Sequence, residues 1–156
     1  MNRKKRSPHA GLALMAMVTA TPVSAADLNV TLTTGGSSGK IWLGLCRDAA
    51  SFDHMNDDLT DRSPPQPLEI RTLVPENGIA RTSFTGLPPG RYALSAFQDV
   101  NGNGELDENL LGVPTEPYGF SGNVRGKLAP PSFDDAAITL SGGMPLTITI
   151  ILKSGL

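Results

Sequence analysis

Leu146, Ile148, Ile150 and Leu152 fall at alternate positions, with Thr147 and Thr149 between them. Only an extended chain puts every second side chain on one face, so this period commits the segment to a half-buried β-strand. The same alternation appears at Leu28, Val30 and Leu32, set against Asn29, Thr31 and Thr33. Short runs at Lys40–Cys46, Leu68–Val74, Ile79–Thr85, Tyr92–Gln98 and Ala136–Leu140 are bounded by glycine and proline turns and also read as strands. No stretch sustains a 3.6-residue period. Phe52–Leu59 allows one short helical turn, which Pro64, Pro65 and Pro67 stop. About seven short strands separated by turns predict an all-β fold, an antiparallel β-sandwich, with a small barrel as the alternative. Lys40–Cys46 carries apolar residues on both faces and is expected to be a central strand covered on both sides. Asn77-Gly78 predicts a hairpin joining the third strand to the fourth.

The N-terminus stands apart. Arg3, Lys4, Lys5 and Arg6 precede an apolar run, Ala10–Ala20, and then the small residues of Val23–Ala26. This is the pattern of a secretory signal peptide over residues 1–26, cut after Ala25 or Ala26, and the run is too short to span a bilayer. The expectation is a single domain over 27–156, periplasmic or secreted, with no membrane span in the mature chain. Cleavage removes four of thirteen Lys+Arg and leaves nine against fifteen Asp+Glu, so the formal charge moves from −2 to −6. Such a chain has no basic footprint for nucleic acid or anionic lipid. The one cysteine, Cys46, excludes an internal disulfide, and its neighbours Ile41, Trp42, Leu43 and Leu45 mark it as a small buried hydrophobe.

Asp99, Asn101, Asn103, Gly104 and Asp107 follow the fifth strand. Alternate oxygen-bearing side chains before a glycine turn can wrap a hard cation, and calcium takes six to eight such oxygens. The expected ligands are Asp99, Asn101 and Asn103, the backbone carbonyl of Glu105, and Asp107. An EF-hand would need a glutamate where Leu110 stands, and flanking helices where a strand precedes, so this is a different loop. The missing carboxylate would come from Glu108, Asn109 or Glu116, with Glu116 taken as the sixth ligand. With few full charges the affinity expected is roughly 10⁻⁴ to 10⁻³ M. The alternative is that Asn, Asp and Gly simply turn the chain, their side chains bonding their own backbone.

Three blocks carry a resemblance: Tyr92–Asp107 (YALSAFQDVNGNGELD), Gly112–Ser121 (GVPTEPYGFS) and Pro130–Ala136 (PPSFDDA). Together they resemble the exported bacterial family catalogued as domain of unknown function 2141. The resemblance implies a small exported protein, a β-sandwich, and no established activity. Ser121-Gly122-Asn123 departs from that family's Ser-Asn run. Leu87–Leu94 (LPPGRYAL) is similar to the turn and strand of prealbumin-like and bacterial surface B-type domains, which implies a prealbumin- or immunoglobulin-like sandwich anchored by Tyr92.

His54 is the only histidine outside the leader, too few for a zinc or iron site of the usual kind. No G-x-S-x-G elbow presents a serine to it. The function expected is therefore non-enzymatic: an exported module of the cell envelope with a calcium-stabilised loop, meeting an envelope protein or a glycan. A second reading is a carbohydrate- or peptide-binding module using the Gly112–Asn123 loop, with Tyr118, Phe120 and Asn123 as contacts. A third is a hydrolase drawing on Glu116 and Asp107, whose carboxylate separation the sequence does not fix.

Overall fold

The computed structural model describes residues 24–36, 38–57, 63–126 and 129–155. The expected leader, up to residue 23, lies outside them. Eight strands are present among the described residues: β1 (Ala26–Thr33), β2 (Lys40–Cys46), β3 (Glu69–Leu73), β4 (Ile79–Leu87), β5 (Gly90–Asp99), β6 (Tyr118–Phe120), β7 (Ile138–Leu140) and β8 (Leu146–Ile151). Two short helices, α1 (Ala49–Asp57) and α2 (Phe133–Ala136), interrupt them. One sheet has the order β4-β1-β8; the other has the order β3-β2-β5-β6, with β7 also paired to β5.

The alternation in the sequence becomes one core between the sheets. Leu28, Val30 and Leu32 from β1, Phe84 from β4 and Ile150 from β8 meet Ile41, Leu43 and Leu45 from β2 and Tyr92 and Leu94 from β5. Each such side chain contributes about 1.5–3 kcal/mol on burial. The far face of the larger sheet carries a second cluster, in which Cys46, Ala93, Phe97 and Phe120 lie under Phe52 and Met55 of α1 and Phe133 and Ala136 of α2. β2, lying between β3 and β5, is thus buried on both faces as its composition predicts. Tyr92 is fully buried and donates its hydroxyl to the carbonyl of Pro88 at 2.6 Å.

The helices have local causes. Asp48 caps α1, its Oδ1 accepting the N–H of Ser51 at 2.9 Å. The helix therefore starts three residues before the predicted turn; residues 58 and 59 of that prediction lie outside the described set. In α2, Ser132 and Asp135 form a reciprocal capping box.

Three expectations are corrected. First, the sheets are not wholly antiparallel: β1 and β8 pair in parallel, Leu28 opposite Leu146 and Leu32 opposite Ile150. Second, β3 and β4 form no hairpin ladder. Asn77 (φ 51°) and Gly78 (φ 76°) do make a tight turn, across which Glu76 and Ile79 exchange both backbone bonds. The ladder goes no further, and the strands part, β3 to β2 and β4 to β1. Third, the segment expected as a strand from Ala136 is strand only over Ile138–Leu140, while Tyr118–Phe120, expected as loop, is β6.

Cross-links join the two sheets at both sides. Tyr118 of β6 and Lys153, just past β8, exchange backbone hydrogen bonds at 3.0 Å each. On the other side Arg71 of β3 donates to Thr82 Oγ1 and to the Ser83 carbonyl of β4, and its guanidinium lies 4.3 Å from the centroid of the Phe84 ring.

Candidate functional site

β5 delivers Asp99 to the mouth of the long loop with only 3% of its surface exposed. A buried carboxylate must be satisfied, and here the loop's own backbone does it. Asp99 Oδ1 accepts the Gly102 N–H at 2.7 Å and Oδ2 accepts the Gly104 N–H at 3.0 Å. Gly102 (φ 81°) and Gly104 (φ 85°) take the left-handed conformation that lets the loop coil back onto this carboxylate. At the far end Glu116, 6% exposed, accepts from Val100 N at 2.7 Å and from Asp107 N at 3.3 Å. Two buried carboxylates thus hold both ends of the segment, and neither has a cationic partner among the described residues.

Between them the amides converge on Asp107. Asn101 Nδ2 donates to Asp107 Oδ2 at 2.5 Å, and Asn103 Nδ2 donates to Oδ1 at 3.0 Å. Asn101 Oδ1 accepts from Asn103 N, and Asn103 Oδ1 from Glu105 N. The Glu105 side chain is exposed. The structure therefore gathers Asp99, Asn101, Asn103, Asp107 and Glu116 into one hydrogen-bonded loop. Each bonded oxygen keeps acceptor capacity, since a carboxylate offers about four lone-pair sites. The donor set is rich in amides: among the described residues no group of three or more His, Cys, Asp or Glu is placed to hold a metal ion.

The loop then makes a second turn. Asn109 Oδ1 accepts the N–H groups of Leu111 and Val113, and Gly112 N donates to the Asn109 carbonyl. Leu110 and Leu111 are left in solvent at 106% and 86% exposure.

The loop, α1 and the outer face of β5 and β6 enclose a groove of about 810 Å³. Its lining includes Met55, Asn56, Phe97, Leu106, Tyr118 and Phe120. Tyr118 is half-buried, with the Arg125 guanidinium 5.0 Å from its ring centroid and Phe120 edge-on at 5.9 Å. Among the described residues the buried Oδ1 and Nδ2 of Asn56 and the buried Nε1 of Trp42 have no hydrogen-bond partner.

The other sequence candidates have structural duties. Asn123 (φ 54°) donates Nδ2 to the Thr149 carbonyl at 2.9 Å and accepts from Ile151 N at 2.8 Å, so its amide closes the free edge of β8. Phe120 is packed in the outer core. Ser121, fully buried, accepts from Leu94 N at 2.9 Å and donates to the Ala136 carbonyl at 2.5 Å. His54 is half-buried on α1. Burial pushes the Cys46 thiol up to about 12, and its sulfur lies 3.8 Å from that of Met55. Asn56 and Arg125 were not legible as groove residues, because no spacing rule links a helix amide to a loop sixty positions away.

A family model described as "Uncharacterized protein conserved in bacteria (DUF2141)" matches residues 33–148. No curated protein and no solved structure matches the chain.

Proposed function

The chain belongs to this family of uncharacterised proteins conserved in bacteria, DUF2141, and from that premise we propose a non-enzymatic, exported β-sandwich module with a calcium-stabilised loop. It acts at the cell envelope, where the stiffened loop forms one wall of a groove that meets a partner. The observation that carries this reading is the pair of buried carboxylates, Asp99 and Glu116, bracing a loop whose remaining oxygens come from Asn101, Asn103 and Asp107.

Asp99, Asn101, Asn103 and Asp107 would hold the ion through side-chain oxygens, Glu105 through its carbonyl, and Glu116 as the further carboxylate. Calcium would neutralise negative charge gathered in one place and fix a long loop whose ordering is otherwise costly. The basic, apolar and small-residue order of Arg3–Ala26 supports export. The core shared by two sheets and the buried Tyr92 anchor support the prealbumin- or immunoglobulin-like sandwich. A structural role for Glu116 is supported by its burial and by its two bonds to the loop backbone. The second reading, a carbohydrate- or peptide-binding module, is favoured by the groove itself, whose lining includes Leu106, Tyr118 and Phe120.

Calorimetric titration of calcium into chelator-treated protein, with a melting curve, tests the first reading. At 10 mM calcium and the expected affinity, mass action stabilises by about 2 kcal/mol, a rise on the order of 5 °C. Asp99→Ala should abolish both heat and shift. No heat and no shift in the wild type removes calcium from the account.

A further inference from the structure

We infer that the long loop modifies itself: Asn101-Gly102 and Asn103-Gly104 are sites of spontaneous imide formation, which turns each asparagine into aspartate or isoaspartate. The inference concerns these side chains alone and does not rest on the calcium reading.

The chain has three Asn-Gly pairs, beginning at Asn77, Asn101 and Asn103. Two stand in tandem in the loop, and the fold gives both the same set of contacts. Gly102 N donates to Asp99 Oδ1 at 2.7 Å, and Gly104 N to Asp99 Oδ2 at 3.0 Å. Asn101 Oδ1 accepts from Asn103 N at 3.0 Å, and Asn103 Oδ1 from Glu105 N at 2.9 Å. The Nδ2 groups of Asn101 and Asn103 both donate to Asp107. Each asparagine side chain is thus folded forward over the peptide that follows it, with its carbonyl on a donor and its amide nitrogen on an acceptor.

These contacts are the ones the reaction uses. The glycine nitrogen attacks Cγ of the asparagine before it, and its proton passes to the Asp99 carboxylate already bonded to that N–H. Negative charge gathers on Oδ1, where the N–H of Asn103 or Glu105 is in place to stabilise it. The N–Cγ bond forms, the Cγ–Nδ2 bond breaks, and Nδ2 takes the proton from Asp99 and leaves as ammonia. Water then opens the imide at either carbonyl, giving aspartate or isoaspartate. Nothing blocks the approach: Asn101, Gly102 and Asn103 are exposed, and a β-carbon at Gly102 or Gly104 would meet no atom within 4 Å. Conversion takes both amide donors from Asp107 and sets new carboxylates beside it, so the modified loop carries more negative charge on fewer internal bonds.

The test follows the purified protein in chelator at pH 8, folded and in urea, by peptide mass mapping in water labelled with heavy oxygen. The label enters only residues converted during the incubation. Asn101 and Asn103 should convert roughly tenfold or more faster in the folded protein than in urea, because only the fold brings the acceptor and donors to the reacting atoms. Asn77, on a different turn, is the internal reference and should gain nothing from folding. Asp99→Asn keeps the shape and removes the proton acceptor, so conversion at Asn101 and Asn103 should fall about tenfold or more while Asn77 is unchanged. Loop pairs that convert no faster folded than in urea would show that the hydrogen bonds shield them, and would overturn the inference. An unchanged loop rate in folded Asp99→Asn would overturn it too. If that variant does not fold, the wild-type comparison decides alone. The calcium reading stands or falls separately on the heat of the ion titration.

Discussion

Gly39 packs its bare α-carbon against the backbone of Asp99: a β-carbon there would lie 1.9 Å from the Asp99 carbonyl oxygen. The residue also sits at φ +71°, which L side chains rarely adopt. Both facts tie the turn before β2 to the residue that opens the long loop. Gly39→Ala should therefore cost more than 3 kcal/mol, combining backbone strain with a clash that no side-chain rotation relieves. Urea unfolding reads this as a lowered midpoint. Gly36→Ala, where nothing lies within 4 Å of the added carbon, is the control and should stay within about 0.5 kcal/mol.

Glu116 is the strut of the loop. Glu116→Ala leaves the Val100 and Asp107 N–H groups without their acceptor and should destabilise by about 2–3 kcal/mol. The specific readout is hydrogen exchange: those two amides should lose protection before the β1 and β2 amides do. Unchanged exchange at Val100 would show that Glu116 does not brace the loop.

Asn123 stands in for a missing neighbour of β8. Asn123→Gly keeps the positive φ and removes the amide, so it isolates the edge bonds to Thr149 and Ile151. A loss of about 1–2 kcal/mol and faster exchange at the Ile151 N–H are expected. Asn123→Ala should cost about 1 kcal/mol more, from strain in the left-handed region. Equal stability of the two variants would remove the strain argument.

Cys46 should be inert while the protein is folded. The thiolate is the nucleophile, and burial holds the thiol up to about 12 from an ordinary 9.0. At pH 8, modification by a thiol reagent should wait for unfolding. The native state favours the protonated form, so this group's contribution is intact below pH 9 and is lost as pH rises from 9 toward 12. Cys46→Ala should flatten that alkaline decline. Rapid labelling of folded protein at pH 8 would refute the burial argument.

Much of the fold was legible because a period of two leaves little choice: β1, β2, β4, β5 and β8 lie close to where alternation and turns place them. What failed depends on partners distant in sequence. Asn77-Gly78 turns the chain equally well inside a hairpin or between sheets, and only the ladders of β1 and β2 decide. Nothing local in Leu146–Ile151 says that its neighbour runs parallel. β6 is three residues set among prolines and glycines, held by β5 and by Lys153, so it carries no pattern of its own. α2 did leave a sign, Ser132 three residues before Asp135, the spacing of a capping box. At the site, Asp99 to Asp107 stood out as a string of oxygens, and the structure brings them together with Glu116. Asn56, Arg125 and the edge role of Asn123 appear only once the chain is folded.

The parallel pairing of β1 with β8 sets a timetable. β1 is the middle strand of its sheet, and until Leu146–Ile151 emerges from the ribosome one flank of it lies bare. The earliest and latest parts of the domain must find each other, a contact of nearly the greatest possible sequence separation. The three-stranded sheet is therefore completed only when Leu146–Ile151 docks beside β1.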